Sequence, residues 1–136
     1  WPALVPRSFL MKSKSTETDD AFIVERHGDL TVITANPALE RMEFGLEEQV
    51  AELILKPLRP LDNPQIIFDL SRVDHFGSMF LALLIRCWKQ TTAKGGSMAL
   101  CGLSPQGKEL LRVTSLDIVW PIYDNRREAM EAFELD

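Results

Sequence analysis

Two short stretches near the start of the chain alternate apolar and polar positions: Ala21 to Arg26 (AFIVER) and Leu30 to Ala35 (LTVITA). Both are rich in β-branched residues, and His27-Gly28-Asp29 between them supplies turn chemistry, so the pattern predicts an antiparallel hairpin. The period then changes. From Glu43 to Leu58, the residues Phe44, Val50, Leu53, Ile54 and Leu58 recur at spacings of mostly three, four and their multiples, with Glu47, Glu48 and Glu52 opposite. This pattern predicts an amphipathic helix that Pro57 and Pro60 stop.

Ile66 to Leu70 (IIFDL) is almost continuously apolar and follows Asn63-Pro64, as befits a strand covered on both faces at the centre of a sheet. A helix is expected from Ser78 to Thr92, ended by Gly95-Gly96. Ser97 to Cys101 reads as another buried strand. Ser104-Pro105 then pairs a helix N-cap with the favoured N1 proline, opening a short helix to Val113. Asp117 to Trp120 reads as the last strand. Asp124-Asn125 caps a final helix, with Glu128 three residues after Asn125 as in a capping box. The resulting order, ββαβαβαβα, predicts a single α/β domain: a mostly parallel central sheet, an antiparallel N-terminal edge hairpin and about four helices.

The chain has 136 residues, the size of one ordinary domain, with 46% hydrophobic and 26% charged residues, which excludes disordered, collagen-like and coiled-coil classes. Residues 1–20 stand apart from the periodic body. WPALVPRSFL contains Leu4-Val5-Pro6-Arg7, which looks like an engineered protease-cleavage sequence, and Met11 opens a polar stretch with nothing to bury. Residues 1–20 are therefore expected to be a leader and flexible polar arm, and residues 21–136 the domain.

Charge and chemistry narrow the function classes. Twenty acidic against fifteen basic residues, with no basic block, make nucleic acid or an anionic membrane a poor partner. The longest apolar run, Met79 to Ile85, falls far short of the roughly twenty residues of a membrane span. Cys87 and Cys101 form no CxxC, and His27 and His75 stand alone, so no metal set is expected and the cysteines read as buried free thiols in a reducing cytoplasm. No GxxxxGK[ST] or GxGxxG is present. Asp69 and Asp74 lack a neighbouring nucleophile or metal set, so they read as a turn cap and a solvated charge; no catalytic residue and no cofactor is expected.

In largely parallel sheets, ligands and partners are met beyond the carboxyl ends of the strands. This points to Ser71-Arg72-Val73-Asp74-His75-Phe76-Gly77-Ser78, the connection after the central strand. Gly77 permits a tight turn there. Ser78 is placed to cap the helix it begins, or to carry a phosphate that the helix's free N–H groups would hold. Met79 and Phe80 follow, the first a candidate for partner-facing apolar surface and the second for core.

From Ile66 to Phe133 the chain resembles the STAS domain of bacterial anti-sigma factor antagonists. The resemblance rests on Asp69-Leu70-Ser71, Val73, the Gly95-Gly96 turn, Leu103-Ser104-Pro105, Leu116 and Ile122-Tyr123-Asp124, in that order. It implies a STAS-like fold and a regulatory, non-enzymatic binding module of the cytoplasm. In that family the serine opening the helix after the central strand is phosphorylated by a partner kinase that is also the anti-sigma factor, and Ser78 falls on that position. The implied partner surface comprises Asp74, His75, Gly77, Ser78 and Met79. The implied partners are an anti-sigma factor serine kinase, with a phosphatase or other STAS domains as further candidates. One departure stands out: Gly77 replaces the aspartate that commonly precedes the serine. The alternative reading is an unphosphorylated STAS scaffold or sensor-assembly component.

Overall fold

The structure, a computed structural model, describes residues 22–37, 46–74 and 77–135. The expected leader and arm, residues 1–20, lie outside these, as do Phe44, His75 and Phe76. Among the described residues five strands form one sheet: β1 (Phe22–His27), β2 (Leu30–Ala35), β3 (Gln65–Asp69), β4 (Ser97–Cys101) and β5 (Ile122–Tyr123). Their spatial order is the chain order, with β1–β2 antiparallel and every later pair parallel. Among the described residues the α-helices are α1 (Leu46–Leu55), α2 (Ser78–Ala93), α3 (Pro105–Val113) and α4 (Arg126–Leu135). The expected order and sheet type are both present.

The hairpin closes on a two-residue turn whose first residue, Gly28, has φ +67°, as a type II′ connection requires. β3 sits at the centre, and Ile66 to Leu70 are all buried. The sheet buries its two faces unequally. Ile33, Ile66, Phe68, Met98 and Leu100 face α1 and α2, meeting Val50, Ile54, Phe80, Leu83, Leu84 and Cys87 in the main core. On the other face, Leu30, Val32, Ile67 and Cys101 form a smaller cluster under Ala129, Met130 and Phe133 of α4. Burying a large aliphatic or aromatic side chain contributes roughly 1.5–3 kcal/mol, so the first face supplies most of the hydrophobic stabilisation. Trp120, fully buried, meets Trp88 edge to face at 6.3 Å and 82°.

Three expectations are corrected. Leu53, placed on the apolar stripe of α1, is 42% exposed, while Ala51 and Leu55 are buried with Val50 and Ile54. The buried stripe is therefore rotated towards Ala51 and Leu55. The second correction concerns the expected strand Asp117 to Trp120, which forms consecutive turns instead. Leu116 N–H donates to the Leu111 carbonyl, Val119 and Trp120 N–H donate to that of Leu116, and Ser115 adopts φ +63°. Here the anchoring of Trp120 in the core overrides the β-propensity of Ile118-Val119, and Ile118 is left 83% exposed. Pairing resumes only around Pro121, whose carbonyl accepts from Leu100 N–H. The third correction, at Gly77 and Ser78, belongs to the site.

At the opposite end of the sheet, Gly96 is required by close approach. A Cβ there would lie 1.9 Å from the Pro64 carbonyl oxygen, which itself accepts from Ser97 N–H.

Candidate functional site

The connection from β3 to α2 leaves the sheet at Asp69, an 8%-exposed carboxylate whose two oxygens are both engaged. Oδ1 accepts from Ser71 N–H at 3.0 Å and fixes the first bend, as a turn cap does. Oδ2 accepts from the Arg126 guanidinium, at 3.2 Å from Nε and 3.1 Å from Nη2. The same guanidinium donates to Glu25 Oε1 at 3.0 Å and Thr34 Oγ1 at 2.6 Å. One arginine thus joins α4 to β1, β2 and β3. Asp69 fulfils the turn-cap expectation and is ion-paired with Arg126 as well.

The loop is then held along its length. Val73 is buried and its N–H donates to the Leu70 carbonyl. Arg72 Nη1 reaches Asn36 Oδ1 at 3.1 Å, tying the loop to the end of β2. Ser104 Oγ donates to the Asp74 carbonyl at 2.8 Å and accepts from Gly107 N–H at 3.0 Å. The predicted N-cap of α3 therefore also latches the loop. Asp74 is exposed, and His75 lies outside the described residues.

The loop delivers the chain to α2, where the N-cap is Gly77 rather than Ser78. Gly77 has φ −97° and ψ 175°, an extended conformation open to any residue, and a Cβ there would meet nothing within 4 Å. The tight-turn reading of Gly77 is therefore corrected, since no steric demand calls for glycine. Ser78 is the first residue of the helix and exposed, and its N-cap, Gly77, has no side chain to offer the helix. A residue already in helical conformation cannot direct its hydroxyl to the second or third N–H as an N-cap does. Ser78 is thus a helix-terminal hydroxyl without a capping role, beside backbone donors that favour an anion. Met79 is half-buried, and Phe80 is core as expected.

Asp74, Gly77, Ser78 and Met79 thus share the carboxyl end of the sheet. Sequence reasoning missed Arg126 and Asn36. Arg126 did carry a signal, because a cation in the first turn of a helix opposes the dipole and calls for a local anion.

Both thiols are free and buried. Burial pushes Cys87 up to about 12. Cys101 also rises to about 12, first by burial and then by the Asp69 carboxylate beside it. Among the described residues no group of three or more His, Cys, Asp or Glu could hold a metal ion, and no helix is long and apolar enough to cross a membrane.

Comparison with known proteins agrees with this architecture. An anti-sigma F factor antagonist of Paenibacillus polymyxa is 26% identical over 113 residues, covering 83% of this chain and 86% of its own. The solved structure of an anti-sigma-factor antagonist (STAS) domain protein from Planctomyces limnophilus is 35% identical, with a TM-score of 0.72 over 82% of this chain and 96% of that one. SpoIIAA, an anti-sigma factor antagonist solved in its unphosphorylated form, shares the fold at 19% identity, with a TM-score of 0.71 over 85% and 98% of the two chains. The STAS domain family model matches residues 12–129. With that match, the five-stranded sheet and the β3–α2 loop, the chain belongs to the STAS domain family.

Proposed function

We propose that this protein is a cytoplasmic regulatory binding module of the anti-sigma factor antagonist type. It binds a kinase-type anti-sigma factor through the surface around Asp74, His75, Gly77, Ser78 and Met79, and phosphorylation of Ser78 ends that binding. The observation that carries the reading is Ser78 itself: an exposed hydroxyl at the amino end of a 16-residue helix, beyond the central strand, relieved of capping by Gly77. A phosphate there would add nearly two negative charges to the contact surface, while the amino end of the helix would tolerate it. A phosphatase would reverse the change. The relatives that this chain matches are described as anti-sigma factor antagonists, which supports a regulatory rather than a catalytic role.

A second reading has its own support. Gly77 leaves the serine without an acidic neighbour, and Met79 presents part of an apolar side chain beside it. These features suit constitutive assembly with other STAS or sensor domains. Titration of wild type, Ser78→Ala and Ser78→Asp against the cognate anti-sigma kinase, with phosphopeptide mapping after incubation with ATP, separates the two. The switch reading expects Ser78→Asp to bind at least about tenfold more weakly, a cost of about 1.4 kcal/mol. Ser78→Ala should bind as wild type and take no phosphate. Phosphate elsewhere or nowhere, with Ser78→Asp binding as wild type, would overturn it in favour of the scaffold.

A further inference from the structure

The β4–α3 connection, Gly102 to Ser104, is the bed on which the β3–α2 loop rests. The two connections leave neighbouring parallel strands at the same end of the sheet, and Leu70 N–H extends the pairing past β3 by donating to the Cys101 carbonyl at 2.9 Å. Gly102, at φ +73°, comes so close that a Cβ there would lie 2.8 Å from Ser71 Cβ. Val73 and Leu103, one from each connection, are buried in the main core. Ser104 closes the contact with one hydroxyl used twice: it accepts from Gly107 N–H as the cap of α3, and it donates to the Asp74 carbonyl at 2.8 Å. The cap needs only an acceptor. The donated bond is not part of it, and fixes the loop three residues before Gly77.

We propose that Ser104 is a positioning residue for partner binding: its hydroxyl holds the backbone at Asp74 in the shape that the anti-sigma kinase meets. The proposal rests on the reading of Asp74, Ser78 and their neighbours as the partner surface. Ser78 itself does not depend on the latch, because it is carried by α2, which Phe80, Leu83 and Leu84 anchor in the core. Loss of the latch therefore weakens the encounter with the kinase and leaves phosphate transfer within the complex unchanged. A structural role confined to capping α3 would instead change stability and leave binding alone.

Three variants of the full chain separate the two uses of the hydroxyl. Ser104→Asp keeps the acceptor and loses the donor, Ser104→Gly loses both with a tolerable N-cap and no added charge, and Ser104→Thr keeps both. Titrated against the cognate anti-sigma kinase without ATP, Ser104→Asp and Ser104→Gly should each raise Kd about fivefold, the weight of one hydrogen bond. The rate of phosphate transfer at saturating kinase should stay within about twofold of wild type, and the melting temperature within about 3 °C. Amide exchange from Arg72 to Asp74 should quicken in both, and Ser104→Thr should behave as wild type throughout. A Kd unchanged in Ser104→Gly, an effect confined to Ser104→Asp and so owed to its charge, or a fall in transfer rate in place of binding overturns the proposal. A wild type that does not bind the kinase brings down the reading of the surface instead; quickened exchange from Arg72 to Asp74 would then still uphold the positioning of Asp74 by Ser104, and unchanged exchange would overturn it.

Discussion

Gly77 and Ser78 show how much depends on one position in a helix cap. Had Ser78 been the N-cap, removing its hydroxyl would cost about 1 kcal/mol. Gly77 holds that place, so Ser78→Ala should cost under about 0.5 kcal/mol. The converse substitution is more informative. Gly77→Asp introduces a carboxylate within reach of the first-turn N–H groups of α2, in a backbone conformation that aspartate adopts freely and with no atom within 4 Å of its Cβ. It also restricts the unfolded chain. We expect a gain of about 1 kcal/mol, or roughly 3–5 °C in thermal denaturation. No gain, or a loss, would mean that the loop cannot present the side chain to the helix.

At the scale of elements, α4 is fastened by charge as well as by packing. Its apolar cluster is the smaller one, and Arg126 alone bridges it to Glu25, Thr34 and Asp69. Arg126→Met would keep much of the side-chain volume but leave the nearly buried Asp69 carboxylate without its cation, a loss of about 2 kcal/mol in urea denaturation. Amide exchange should quicken in α4 and from Ser71 to Asp74, where Asp69 holds the first bend. Protection unchanged in that loop would show that the loop is staged by Ser104 and Asn36 without Arg126. The elements themselves were largely legible in the sequence, for identifiable reasons. Continuous burial marked β3, proline and glycine punctuated α1, α2 and α3, and Asn125 does cap α4, its Oδ1 accepting from Glu128 N–H at 2.9 Å. What was not legible depended on partners far along the chain. Trp120 is drawn into a core assembled by other elements, so its own neighbours gave a false strand. The Arg126 network joins residues up to 101 positions apart, and no local period records it. The candidate site was placed by the topological rule and by resemblance, whereas the capping geometry at Gly77 depends on a backbone conformation that the residue type does not dictate.

For the whole molecule, the two sealed thiols set an alkaline limit. Both are held at about 12 in the fold, against an ordinary value of 9.0 once exposed. A raised folded value contributes stability that is complete below pH 9 and is lost as pH climbs from 9 towards 12, because the unfolded chain releases the proton first. At pH 10, one unit above the exposed value, Cys87 alone should account for about 1.4 kcal/mol of lost stability. Urea denaturation at pH 7 and pH 10 measures the difference, and Cys87→Ala should shrink it by about that amount. An unchanged difference would remove the thiol as its cause.

Strand order matching chain order has a further consequence, for the way the molecule comes into being. Each new strand finds its neighbour already waiting in the strand just synthesised, so every pairing closes a loop no longer than one crossover, and loop closure is least costly when partners are near in sequence. The sheet can grow in the direction of synthesis without holding an edge open for a distant partner. The exception is Arg126. Its anions lie on the first three strands laid down, yet it arrives with the final helix, so the charge network is completed last and locks a sheet that is already in place.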